Sequence, residues 1–195
     1  MLWKPGTSEA RVGCDQVVLR GNRKSGTFPP TMIKIGDSLP TATLTESTVF
    51  GDACPAAPER VKVAEAAEGK RLVIFGLPGA FTPTCSAQHL PGYVQHLEAL
   101  KAKGIDEVWC VAANDGFVMA AWGRERGAIG KVRMLGDGGA DFARALGLSV
   151  DIPGMGTRMQ RFSMLVEDGV VRQLNVEERG KYGASSAETM LTQVG

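Results

Sequence analysis

The chain has 195 residues, of which 44% are hydrophobic and 22% charged, and its formal net charge is +1. These proportions predict one globular domain with a full apolar core. They argue against the strongly basic surface of a general nucleic-acid or membrane-surface binder, and no apolar run approaches the ~18 residues of a membrane span.

The charge is uneven. Residues 1–31 carry five basic and two acidic side chains, whereas residues 32–195 carry 17 and 19. The first stretch has little periodicity and ends in Gly26-Thr27-Phe28-Pro29-Pro30, which predicts a poorly ordered extension. Residues 32–195 read as the working domain. The extension lacks the continuous apolar segment of a secretory signal, and Glu9 and Asp15 interrupt the acid-poor composition of a transit peptide. Cys14, Cys54, Cys85 and Cys110 show no CxxC spacing and read as thiols of a reducing compartment. The cytoplasm is the expectation, with organellar targeting by residues 1–31 as the lesser alternative.

From Met32 the pattern becomes regular. Residues 42–49 alternate loosely and predict a strand, and residues 60–64 alternate again, with Val61 and Val63 on one side. Leu72-Val73-Ile74-Phe75 predicts a buried strand. A helix is expected from about Cys85 to Lys103, with Leu90, Val94 and Leu97 at helical spacing, Gly104 at its cap, and a kink near Pro91. Residues 107–113 form a continuous apolar run that predicts a central strand covered on both faces. Asn114 or Asp115 then caps a helix with Phe117, Val118, Ala121 and Trp122 on its apolar side. A short strand (132–135), a short helix (141–146), two strands flanking Asp168-Gly169 and a closing helix (186–193) complete an α/β chain with a mixed sheet.

The chemistry gathers at Gly76-Leu77-Pro78-Gly79-Ala80-Phe81-Thr82-Pro83-Thr84-Cys85. A strand enters a Pro/Gly turn, and one cysteine sits where a helix begins. Free backbone N–H groups and the positive end of the helix dipole favour thiolate over thiol there. The Thr82 hydroxyl is placed to face the sulfur. Such a site needs a fixed cation to hold an oxyanion, and the candidates are Arg158 and Arg161. Arg158, leaving a Gly-rich loop, is preferred.

Pro78-x-x-x-Thr82-x-x-Cys85, with His89-Leu-Pro-Gly92, Asn114-Asp115, Arg161-Phe-Ser163 and Asn175-Val-Glu177, resembles the type II, peroxiredoxin-five-like peroxiredoxins from about Met32 to the end. The resemblance implies a thioredoxin-like fold, a central mixed β-sheet flanked by helices. It implies a thiol peroxidase acting on hydrogen peroxide and alkyl hydroperoxides, with Cys85 as peroxidatic cysteine, Thr82 bonding the peroxide, Pro78 shielding the pocket and Arg158 as activating arginine. It further implies a homodimer that needs no metal or organic cofactor, with glutaredoxin/glutathione or thioredoxin as reductant. His89 would support the pocket; with only His96 as a second histidine, a zinc site is disfavoured. Cys110, 25 residues after Cys85, matches the spacing of the resolving thiol in plant-type members, but its apolar strand argues equally for an inert thiol. Gln95 stands where many relatives carry Glu. Cys14 and Cys54 read as incidental.

Competing functions are a disulfide oxidoreductase, disfavoured by the missing CxxC, and a phosphatase, excluded by Pro91 where the phosphate loop needs Arg. A redox relay or holdase using the same cysteine without high turnover is the alternative from another class.

Overall fold

The structure, a computed structural model, describes residues 31–51 and 55–195. The expected disorder of the N-terminal extension, and Cys14 and Cys54, lie outside the described residues. Nine strands and six helices follow: β1 (Thr43–Glu46), β2 (Glu59–Lys62), α1 (Val63–Ala67), β3 (Arg71–Gly76), a π turn (Cys85–His89), α2 (Leu90–Gln95), α3 (Leu97–Ala102), β4 (Glu107–Ala112), α4 (Gly116–Glu125), β5 (Arg133–Gly136), α5 (Asp141–Ala145), β6 (Ser149–Ile152), β7 (Gly156–Met159), β8 (Phe162–Glu167), β9 (Val170–Val176) and α6 (Ala187–Gln193). Seven strands form one sheet in the order β2-β1-β5-β4-β3-β8-β9, and β6 and β7 form a separate hairpin. β4 runs parallel to β3 and β5, whereas β8 and β9 return antiparallel, so the sheet is mixed.

The two inner strands carry the core because both their faces are covered. Val73, Phe75 and Cys110 point to one face, under α2, α3, α4 and α6. Leu72, Ile74, Trp109 and Val111 point to the other, against α1 and α5. Alternation along an extended backbone makes this division. Each fully buried large aliphatic side chain contributes about 1.5–3 kcal/mol. Gly76 closes β3 beside Phe162, and a Cβ there would lie 2.2 Å from the Phe162 ring. Only glycine lets β8 approach so closely where the chain turns towards Cys85.

Several expectations are corrected. The alternation over 60–64 stops at Lys62, and Val-Ala-Glu-Ala-Ala, rich in strong helix formers, turns into α1. The β6–β7 hairpin was unforeseen; Gly154 and Gly156 (φ +77° and +75°) make its bend. The disturbance expected near Pro91 is a π turn that ends at His89, and the helix breaks again at His96. The π turn accounts for the intact backbone at Pro91. The Leu90 amide reaches five residues back to the Cys85 carbonyl, and this wider turn moves the Ala87 carbonyl off the proline ring it would otherwise meet. Asp115 caps α4, its Oδ1 accepting from the Val118 amide at 2.9 Å. Phe117, expected on the apolar side, is 46% exposed.

Candidate active site

The site forms at the carboxyl end of β3, where residues 77–84 cross the end of the sheet. Three interactions shape this crossing. The Thr82 hydroxyl donates to the Gly79 carbonyl at 2.8 Å, the Ala80 amide donates to Asn114 Oδ1 at 3.0 Å, and Phe81 takes the left-handed conformation (φ +61°). A non-glycine residue held there stores backbone strain, which the two bonds around it maintain. The Ser86 amide donates to the Thr82 carbonyl at 2.9 Å. Cys85 therefore lies in the first turn of the helix, whose N–H groups have no intrahelical carbonyl.

Cys85 is fully buried, and its sulfur accepts a hydrogen bond from Arg161 Nη2 at 3.4 Å. Arg161 Nη1 donates to His89 Nδ1 at 2.8 Å. A guanidinium has no acceptor, so Nδ1 must be bare and the proton must sit on Nε2. Nε2 faces the Ser185 carbonyl at 3.1 Å, which accepts that proton. Burial first, and then the Arg161 charge, lower the His89 pKa from 6.5 to about 3. The phenol of Tyr93 donates to the same Ser185 carbonyl at 2.9 Å, and burial holds it protonated. Tyr93 stacks on Phe75 with ring centroids 4.1 Å apart, and the Tyr182 ring lies 5.7 Å beneath the Arg161 guanidinium.

This assigns the cation on the sulfur to Arg161 and corrects the preference for Arg158. Arg158 Nε donates to the Met155 carbonyl at 2.9 Å and Nη1 to the Ala113 carbonyl at 3.4 Å. Its guanidinium lies against Gly79; it braces the loop. Arg158 lies in the β6–β7 hairpin outside the main sheet, whereas Arg161 leads directly into β8, which pairs with the β3 strand that runs into the Cys85 turn. Phe162, Met164 and Val166 pack with the far face, which puts Arg161, Ser163 and Leu165 on the face of Cys85. That alternation was legible in the sequence. The carbonyl of Ser185 carried no comparable signal.

Thr82 spends its proton on Gly79, which leaves its oxygen free to accept. Pro78, half-buried, lines a cleft of about 380 Å³ with Thr84, Val150, Ile152, Arg161 and Lys181. Cys110 is fully buried in β4, paired with Phe75, and both cysteines are free thiols bordering the same core. Burial first, and then the neighbouring Cys85 charge, push the Cys110 pKa well up. Among the described residues no three His, Cys, Asp or Glu side chains group as metal ligands, and no helix is long and apolar enough to cross a membrane.

A stability prediction follows from His89. Above pH 6.5 both folded and unfolded chains hold a neutral imidazole. Below it the unfolded chain takes a proton that the folded chain refuses until about pH 3, so stability falls as pH drops through this window. The expected slope from this group is about 1.4 kcal/mol per pH unit. Urea unfolding of the wild type and His89→Gln across the window checks it; equal slopes would contradict it.

A mixed sheet flanked by helices, with an arginine-bound thiol beyond the end of an inner strand, defines a thioredoxin-like protein. The chain matches the Redoxin family over residues 34–191. It is 44% identical over 164 residues to Peroxiredoxin-2E-2, chloroplastic, of Oryza sativa subsp. japonica, covering 82% of this chain and 71% of that one. It is 41% identical over 174 residues to Peroxiredoxin-2E, chloroplastic, of Arabidopsis thaliana, covering 87% and 73%. Reduced Prx3 from Vibrio vulnificus, in complex with hydrogen peroxide, superposes with a TM-score of 0.77 at 43% identity, over 84% of this chain and 100% of that one. The chain belongs to the peroxiredoxins, in their type II group. It is a thiol peroxidase.

Proposed function

We propose that Cys85 is the peroxidatic cysteine, with Arg161, Thr82 and the first-turn amides as the groups that hold the peroxide and Pro78 as the shield over the pocket. The observation that carries this reading is the Arg161 fork, one arm on Sγ and the other on His89 Nδ1. The Cys85 thiolate attacks one peroxide oxygen. The S–O bond forms, and the O–O pair leaves with the second oxygen, which takes a proton and departs as water or alcohol. Cys85 is oxidised by two electrons to a sulfenic acid. Positive charge and N–H donors around the leaving oxygen stabilise the transition state. The Vibrio vulnificus neighbour binds hydrogen peroxide; the apolar Val150 and Ile152 in the adjoining cleft suit alkyl hydroperoxides as well.

The sulfenic acid is recycled by an external thiol, glutathione with glutaredoxin or thioredoxin. Two features support an external route over Cys110: its thiol lies inside a central strand, and burial disfavours the thiolate that exchange requires. Cys110→Ser is expected to leave glutaredoxin-dependent turnover intact. Loss of that turnover in a folded variant would make Cys110 the resolving thiol instead.

The working form is a homodimer. Phe81 and Phe117, 51% and 46% exposed, present aromatic surface near the site, and a second copy of the chain would cover it. Sedimentation is expected to give twice the chain mass; a monomer at assay concentration would overturn this. The free state of both described cysteines suits a reducing compartment. The cytoplasm is the proposed site of action, although the rice and Arabidopsis relatives are named chloroplastic; imaging of the tagged full chain decides between them.

The reading is tested by adding one equivalent of hydrogen peroxide and mapping the product by mass spectrometry with a sulfenic-acid trap. The label is expected on Cys85. Peroxide consumption with the label elsewhere would overturn it.

A further inference from the structure

Glu177 lines the outer cleft with Pro78 and Arg161 and makes no hydrogen bond to the Cys85 sulfur, yet it is joined to both halves of the assembly around that sulfur. It follows Val176, which pairs with Phe162 at the end of β8 and β9. Its amide donates to the Arg161 carbonyl at 2.9 Å, and Gln160 Nε2 donates to its own carbonyl at 3.0 Å. The backbone of Glu177 thus extends the ladder that sets where Arg161 leaves the sheet. Its side chain does something separate. It is 95% buried by exposure (5% accessible), and one oxygen, Oε1, accepts from the Gly183 amide at 2.7 Å, the Ser185 amide at 2.8 Å and the Ser185 hydroxyl at 2.9 Å.

Three donors on one buried carboxylate oxygen are an expensive arrangement unless the loop they belong to must be held. The loop between β9 and α6 ends in Ser185, whose carbonyl receives both the His89 Nε2 proton and the Tyr93 hydroxyl. Remove that carbonyl and the His89 N–H is a buried donor without a partner. The ring must then turn or change tautomer, and Nδ1 no longer presents a lone pair to Arg161.

We infer that Glu177 is a positioning residue for the peroxidase reaction: its carboxylate fixes the Ser185 carbonyl, which fixes the His89 tautomer, which seats the Arg161 guanidinium on Cys85. The inference rests on the role given to Arg161 above. It makes a distinction that bulk stability does not make. What matters is where the acceptor oxygen lies, rather than the negative charge it carries. Glu177→Gln keeps an acceptor oxygen at the same reach and loses the charge. Glu177→Asp keeps the charge and withdraws the oxygen by one methylene.

The test compares the wild type with Glu177→Gln, Glu177→Asp and Glu177→Ala as full chains. Two rates are measured across pH: kcat/KM for hydrogen peroxide and the alkylation of Cys85 by iodoacetamide, the latter independent of turnover. The Asp and Ala variants are expected to lose about 10-fold or more in both near neutral pH, and the Gln variant to stay within about threefold of the wild type. If the Ala variant does not fold, the Asp and Gln variants still decide. Folded variants with wild-type rates would overturn the inference, as would a Gln variant impaired as far as Asp, because charge would then be the property that counts. Failure of all three to fold would make Glu177 a fold element and overturn it too. A wild type in which Arg161 proves dispensable would instead remove the reading on which the inference stands.

Discussion

Cys85→Ser is expected to abolish peroxide turnover, with kcat/KM falling by about 10⁴-fold or more. The hydroxyl that replaces the thiol is not ionised near neutral pH, and an un-ionised oxygen does not open an O–O bond at a useful rate. The remaining described thiol, Cys110, cannot stand in, because it lies fully buried in β4. The folded state should tolerate the change. Serine is slightly smaller and still accepts from Arg161, so the melting temperature is expected to move little. Coupled peroxide consumption and thermal unfolding on the same preparation check both halves. Undiminished turnover in the folded variant would remove Cys85 from the reaction.

The second large effect belongs to Arg161. Arg161→Met is expected to lower kcat/KM by about 10²–10³-fold, the usual cost of removing a pre-placed donor from developing negative charge. It also leaves His89 Nδ1 buried without its donor, a penalty of about 1–3 kcal/mol, so this variant should melt lower than the wild type. Arg161→Lys should recover only part of the activity. One ammonium on a flexible stem does not reproduce a planar fork that bonds Sγ and Nδ1 at once. Arg158→Met is the control. Its guanidinium is bonded to the carbonyls of Met155 and Ala113 and packs beside Gly79, so its loss loosens the loop without removing the sulfur's partner. A loss at Arg158 matching that at Arg161 would overturn the division of roles.

How far the sequence disclosed these features depended on how local their causes are. The inner strands were legible because a short run such as Glu107 to Ala112, apolar and β-branched, fits a strand covered on both faces and little else. The site cysteine was legible because turn residues and helix start lie next to each other in the chain. The sequence narrows the arginine to two candidates and the Gly-rich approach favours Arg158, whereas the alternation of Phe162, Met164 and Val166 turns Arg161 to the face of Cys85. The Ser185 carbonyl could not be found that way. It is a backbone atom in a segment without periodicity, and the histidine it holds is 96 residues away. The π turn was also hidden: Pro91 announced a disturbance, but a wider turn and a kink are both answers to a missing N–H and a crowded carbonyl.

That π turn also separates what can vary in kind from what can vary in number. Ala87 and Gln88 face solvent on its outer side, and nothing in their surroundings demands their particular side chains. Their count is another matter. Losing one residue between Cys85 and Pro91 would convert the turn to an ordinary α-helical one, return a carbonyl to the proline ring, and rotate Cys85 by roughly a quarter turn about the helix axis, away from the guanidinium. Related chains are therefore free to differ at these two positions by substitution, while insertions and deletions there are closed to any descendant that still uses the cysteine.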